Sequence, residues 1–257
     1  MLTAAPSSAS SKSADWQWQA VVGTCALRQQ IDDAGSMFEV RRTPGNDQTG
    51  ITLQDRRDRP SSWKTFEGAS VTIEPGPSMV ADVSVGPGDL PRSRSVSVSI
   101  EDPTFMNSFS EASTLVVSHE KFGVLRTPIR SPAVAAKALR KCEDKTMREW
   151  GIDAVAWRAL KSRPIPSASL SGSLTPNDYP LLPAQYQVQG DVIARLDVGS
   201  DGTVHECVGL NKKVNADFNF ATCRALMRRA RFHPALDAGG QPVAAPFVVI
   251  VRFRFRR

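Results

Sequence analysis

From Trp16 to about Pro128, apolar and polar residues alternate in short runs: "SMFEV", "GITLQ", "ASVTIEP", "MVADVSV", "RSVSVSI" and "STLVVSHEKFGVL". A period of two places alternate side chains on opposite faces of a strand. In "RSVSVSI" this sets Val96, Val98 and Ile100 on one face and serines on the other, so one face is buried and one wet. Turn-prone "TPGND", "EPGPS" and "GPGDLP" separate several of these runs. The pattern predicts a β-rich region built as a sandwich or a strongly curved sheet.

At Ser131 the period changes. "SPAVAAKALRKCEDKTMREWGI" has helical spacing, with Ser131 as a cap, Pro132 at the first helical position and Gly151 after the end. Val134, Ala138, Cys142 (or Leu139) and Met147 are predicted to share its buried side. "KSRPIPSASLSGSLTPND" is rich in Ser and Pro and reads as a linker. Beyond it, "DVIARLDV" and "TVHECVGL" form a hairpin about Ser200-Asp201-Gly202, with Gly202 able to take positive φ. "NADFNFATCRALMRRARF" reads as a helix capped by Asn215 or Asp217, with Phe220, Cys223, Leu226 or Met227, and Ala230 as its apolar stripe. "FVVIVRFRF" is a third strand.

The fold class expected is α+β. Residues 1–14 are expected to form a disordered tail, 15–165 a β-rich domain closed by a helix, 166–173 a linker and 174–257 a small αβ domain with a three-stranded antiparallel sheet. The 257 residues are enough for two ordinary domains, and 41% hydrophobic with 23% charged residues is ordinary for a globular protein. No run approaches the length of a membrane span. The net charge of +6 is too modest to indicate nucleic acid.

The four cysteines change the picture more. Cys25, Cys142, Cys207 and Cys223 include no Cys-x-x-Cys pair, and only His119, His205 and His233 offer imidazole, so a zinc site is poorly supported. Disulfides in an oxidising compartment explain them better. Cys142 in the helix is expected to bond Cys25 in the first strands. Cys207 is expected to bond Cys223, clamping helix to hairpin. The second bond needs Cys207 to point inward with Val204, and three residues apart lie on opposite faces unless a β-bulge intervenes. "MLTAAPSSASSKSA" lacks the regions of a signal peptide, which leaves a cytosolic chain or one whose leader has been removed; the cysteines favour the latter.

The ordered set Tyr179-Pro180, Ala184, Gly190 with Val192, Leu196 and Val198, Asp201-Gly202, Val204, then "ALMRRARFHPA" and the apolar last strand resembles the C-terminal domain of the TonB family of energy transducers. The resemblance covers about the last third of the chain. It implies a periplasmic protein of a Gram-negative bacterium that captures the short N-terminal "box" peptide of an outer-membrane transporter. The peptide adds as a strand along the last β-strand, here Phe247–Phe255, by β-augmentation. The site residues implied are Val248, Val249, Ile250, Val251, Arg252, Phe253 and Arg254, with Tyr179 and Pro180 in the preceding segment. A transducer's membrane helix and Pro-rich spacer do not appear in the sequence, so binding rather than force transmission is the expected role. Peptidoglycan or glycan is the second partner considered.

No catalytic residue, cofactor or metal is assigned. Ser118-His119-Glu120 are adjacent, but neighbours in a strand point to opposite faces, whereas a triad must converge. A hydrolase in the β domain is the third reading. His205 is expected on the solvent side of a strand and His233 at a helix end. In "RFRFRR", Phe253 and Phe255 are expected to be buried and Arg252 and Arg254 solvated. Trp16 and Trp18 are expected in the core or its rim, with a sugar-stacking platform as the alternative.

Overall fold

The computed structural model describes residues 16–57, 59–211 and 214–254. The expected tail, and Phe255, Arg256 and Arg257 at the end, lie outside the described residues.

The alternating region folds into one curled, antiparallel, nine-stranded sheet: β1 (Gln17–Gln19), β2 (Cys25–Gln30), β3 (Met37–Arg42), β4 (Gln48–Asp55), β5 (Lys64–Glu74), β6 (Ser78–Pro87), β7 (Arg94–Glu101), β8 (Thr114–His119) and β9 (Gly123–Pro128). The spatial order is β1-β2-β3-β4-β7-β6-β5-β8-β9. As the alternation predicts, Val96, Val98 and Ile100 join Phe38, Val40, Ile51 and Val71 in one core. Two helices enter this core, α1 (Phe105–Ser110) through Phe105 and Phe109 and α2 (Pro132–Glu149) through Ala135 and Leu139. The opposite face is lined by hydroxyls that pair across strands, as Thr52 with Ser97 and Thr65 with Ser84. Trp16 sits at the core, edge-on to Phe38 and Phe109, while Trp18 is 55% exposed.

The buried side of α2 carries Ala135, Leu139, Glu143 and Met147; Val134, expected there, is exposed. Ser131 stands at the N-cap but its side chain makes no capping bond. Cys142 lies at the margin of that face and meets Cys25 at disulfide distance, with Cα atoms 6.0 Å apart.

Beyond α3 (Ala154–Ala159), β10 (Ile165–Pro166) pairs with β13 (Phe232–His233) and the 3-10 turn at Leu170–Ser173 brings Leu170 onto the C-terminal core. Residues 166–173, suggested as a linker by composition, therefore lie along the C-terminal module. That module holds α4 (Leu181–Gln185), β11 (Gly190–Val198), β12 (Val204–Gly209), α5 (Ala216–Arg229), the small ribbon β14 (Ala235–Leu236) with β15 (Pro242–Val243), and β16 (Ala245–Phe253). Its antiparallel sheet has the order β12-β11-β16.

The hairpin contains the required bulge. Asp197 faces Glu206, yet Val198 faces Val204, so His205 is the extra residue and Val204 and Cys207 turn to the same side. Cys207 and Cys223 then meet, with Cα atoms 5.4 Å apart. Gly202 has φ +78°, and a Cβ there would lie 2.1 Å from the Phe232 carbonyl oxygen.

Asn215 caps α5, its side chain accepting from the Asp217 N–H. The apolar stripe differs from expectation. Phe218, Ala221, Thr222, Ala225 and Leu226 are buried, whereas Phe220 is 67% exposed beneath Arg224 and Met227 is 42% exposed. Phe218 and Phe220 stand 200° apart on a helix, so only one can face the sheet. Gly190 decides it: a Cβ there would come within 2.9 Å of the Phe218 ring.

The other face of the sheet is covered too. Ile193 of β11 and Val248 of β16 pack with Met147 at the end of α2, Ile152 and Trp157. Arg195 donates to the Trp150 carbonyl. Both layers of the C-terminal sheet are thus closed, one by α5 and one by elements that follow the N-terminal sheet.

Candidate functional site

The open side of β16 is the candidate site, because β16 has one strand neighbour, β11, among the described residues. In an antiparallel strand successive residues direct their N–H and C=O groups alternately to either side. Val248 fixes the phase: its N–H donates to Gly45 O at 3.0 Å and its carbonyl accepts from Asn46 Nδ2 at 3.1 Å, both away from β11. Pro246, Ile250 and Arg252 therefore also point outward, and Phe247, Val249, Val251 and Phe253 bond β11. Pro246 fits this register, since a proline is tolerated where no ladder N–H is needed. Its carbonyl accepts from Trp157 Nε1 at 3.3 Å.

The β3–β4 turn that reaches Val248 is braced from below. Buried Arg42 donates through Nη1 to Asp47 O at 2.9 Å and Thr49 Oγ1 at 2.7 Å, and through Nε to Glu143 Oε1 at 3.1 Å. Burial raises the Glu143 carboxyl above its ordinary range despite the attraction of Arg42. Burial likewise raises Asp47, against Arg163 and Arg42. Arg163 sits 3.5 Å from Asp47 and lies over the Trp157 ring at 4.7 Å. Gly45 has φ +76°, and a Cβ there would lie 2.6 Å from Val248 Cγ2.

Past Val248 the edge borders a cleft of about 750 Å³, within the range of ordinary ligand sites. Val249, Ile250 and Arg252 form one wall; Arg41, Gly50, Ser97 and Ser99 from the hydroxyl face of the N-terminal sheet form another. Among the described residues, no group beyond β11 bonds the backbone of Ile250 or Arg252.

The other residues implied by the resemblance fall as follows. Val248, Val251 and Phe253 have buried side chains, Arg252 and Arg254 are exposed, and Arg254 is paired with Asp191. Tyr179 stands edge-on to Phe218 and Phe253, with ring centroids at 5.6 and 5.4 Å, and donates to the Val188 carbonyl at 2.6 Å. Burial raises its phenol, against Arg254. Pro180 precedes α4, where Leu181, Leu182 and Tyr186 are exposed. Just upstream, buried Asp178 accepts from Thr175 N–H and Oγ and from Arg229. Burial opposes its charge, but these donors outweigh it and hold the carboxyl below the ordinary range.

Gly45, Asn46 and Trp157 carry no signal of this role in the sequence. "TPGND" reads only as a turn, and nothing local connects it to a strand 202 residues away. Pro246 beside an apolar run was the available sign of an outer edge.

Catalytic geometry is not assembled at Ser118-His119-Glu120: the His119 ring packs on Phe66 and Phe122 and its Nδ1 accepts from the Lys121 N–H. His205 is exposed beside Asp201. His233 is exposed in β13. Among the described residues no group of three or more His, Cys, Asp or Glu is placed to hold a metal ion, and no helix is long and apolar enough to cross a membrane.

Comparison with curated proteins and with solved structures returns no match. Residues 175–255, which include the hairpin, α5 and β16, match the family described as Gram-negative bacterial TonB protein C-terminal, so the C-terminal module carries a TonB-type C-terminal domain.

Proposed function

We infer that this protein works in the periplasm as a recognition module. An extended segment of an envelope partner, the N-terminal peptide of an outer-membrane transporter, adds as a strand to β16. The observation that carries this reading is the backbone of Ile250 and Arg252, unpaired on its outer side among the described residues and facing a cleft at the outer edge of a TonB-type sheet. Main-chain bonds give such a complex its affinity and neighbouring side chains its selectivity. Oxidising conditions would keep both cysteine pairs closed.

The test exploits the register. Proline at position 252 removes an outward N–H and leaves the β11 ladder intact, as Pro246 already does in the same phase. Synthetic N-terminal peptides of TonB-dependent transporters are titrated against wild type, Arg252→Pro and Arg252→Ala. Arg252→Pro should lose at least about tenfold in affinity, equal to roughly 1.4 kcal/mol, and Arg252→Ala less than about threefold. Equal binding by wild type and Arg252→Pro rejects strand addition. Co-sedimentation with sacculi that survives Arg252→Pro would favour instead a glycan surface around exposed Trp18 and Trp63.

A further inference from the structure

We propose that the β3–β4 turn is a built-in stop that closes the first half of the β16 edge and fixes where a guest strand begins. This rests on the strand-addition reading and deepens it by naming the register. The turn already does at Val248 what a guest would do: Gly45 O takes the outward N–H and Asn46 Nδ2 binds the outward carbonyl. Trp157 occupies the carbonyl of Pro246, and Pro246 has no N–H to offer. The outward groups of residues 246 and 248 are thus spent inside the chain. Among the described residues the first free outward pair belongs to Ile250 and the next to Arg252.

A stop must resist displacement, and three observations give the turn that resistance. Arg42, itself buried, ties both the Asp47 carbonyl and Thr49 and pairs with Glu143 of α2. The Cys25–Cys142 bond holds α2 to β2, next to β3. Val248 is fully buried in a cluster with Met147, Ile152, Trp157 and Ile193, so lifting the turn would open a closed apolar layer to water. A latch meant to swing aside would be held by exposed polar contacts instead.

The consequence is a short docking edge. A guest segment pairs from Ile250 toward the chain end, and its advance along β16 halts against Gly45 and Asn46. Its length of contact is set by a domain outside the TonB-type module.

Residue-resolved amide hydrogen exchange on the full chain, with and without saturating synthetic transporter N-terminal peptide, tests this. In the free protein the Val248 amide should exchange at least about a hundredfold more slowly than those of Ile250 and Arg252. With peptide, Ile250 and Arg252 should gain tenfold or more while Val248 is unchanged. Asn46→Ala should speed Val248 exchange about tenfold and leave the core amides of Val96 and Val98 alone. Gly45→Ala, which sets a Cβ against Val248, should act in the same direction and more strongly. Fast Val248 exchange in the free wild type, or loss of its protection when peptide binds, overturns the stop. A slow Val248 amide together with no protection at Ile250 or Arg252 by any peptide instead rejects strand addition and leaves the cap in place.

Discussion

The nine-stranded sheet buries one face and wets the other, whereas the three-stranded sheet is covered on both. The first behaviour follows from "RSVSVSI", where every second residue is serine and the hydroxyls meet across strands. The second follows from "FVVIV", an unbroken apolar run that has no wet side to offer. Phe247 and Val251 turn toward α5, while Val248 turns toward α2 and Trp157. A small module buries a smaller fraction of its surface than a large one, so each further covered face adds to its stability. Here its second face is completed by elements that belong, in the chain, to the end of the N-terminal region. In the proposed role, recognition by the small sheet is shaped by the large one, and the edge left open is what remains after the two have closed on each other.

The largest expected effects come from the two sulfur bridges, one within each region. In the chain-entropy picture a closed loop of 117 residues stabilises by about 5 kcal/mol and one of 16 by about 3 kcal/mol. Chemical denaturation of Cys25→Ala/Cys142→Ala and of Cys207→Ala/Cys223→Ala should rank them in that order. The reverse order would mean that the hairpin clamp, not the helix tether, carries the molecule.

Paired substitutions, one in each sheet, should differ in cost. Val248→Ala removes two methyl groups from the closed layer and should cost roughly 2 kcal/mol. Ser97→Ala, on the wet face of the larger sheet, should stay within about 0.5 kcal/mol. Equal costs at the two positions would erase the distinction between a sheet covered twice and a sheet covered once.

A smaller effect depends on pH. Asp178→Asn weakens the bonds from Thr175 and Arg229 and should cost about 1 kcal/mol at pH 7. Because the folded carboxyl titrates below its ordinary value of 3.8, its contribution is fully present above that value and is lost as pH falls through the folded one. Urea midpoints of wild type and variant should therefore converge below about pH 4. A constant gap down to pH 2 would assign the effect to shape rather than charge.

Much of the architecture was legible because it is written in local periods. The short strands, the turn at Gly202 and the bulge that lets Cys207 turn inward beside Val204 all follow from spacing and from the needs of one side chain. The phase of α5 was not, since "FNF" offers two aromatics on opposite sides and the choice is made by the missing side chain of Gly190. The site was legible only by halves. The last strand could be named from the resemblance, but which of its residues keep a free backbone depends on a turn more than two hundred positions earlier. Neither the glycine in "TPGND" nor Trp157 carries a signal of that contact, because it is created by the packing of α2 and α3 on β11 and β16.

Photo-crosslinking in whole cells tests the site itself. A benzophenone amino acid is placed at Arg252 on the open edge, at Leu182 on exposed α4, or at Val80 on β6 of the N-terminal sheet. An adduct with an outer-membrane transporter is expected from position 252 and none from position 80. Capture from Leu182 with silence at 252 would place recognition on the apolar helix and contradict addition to β16.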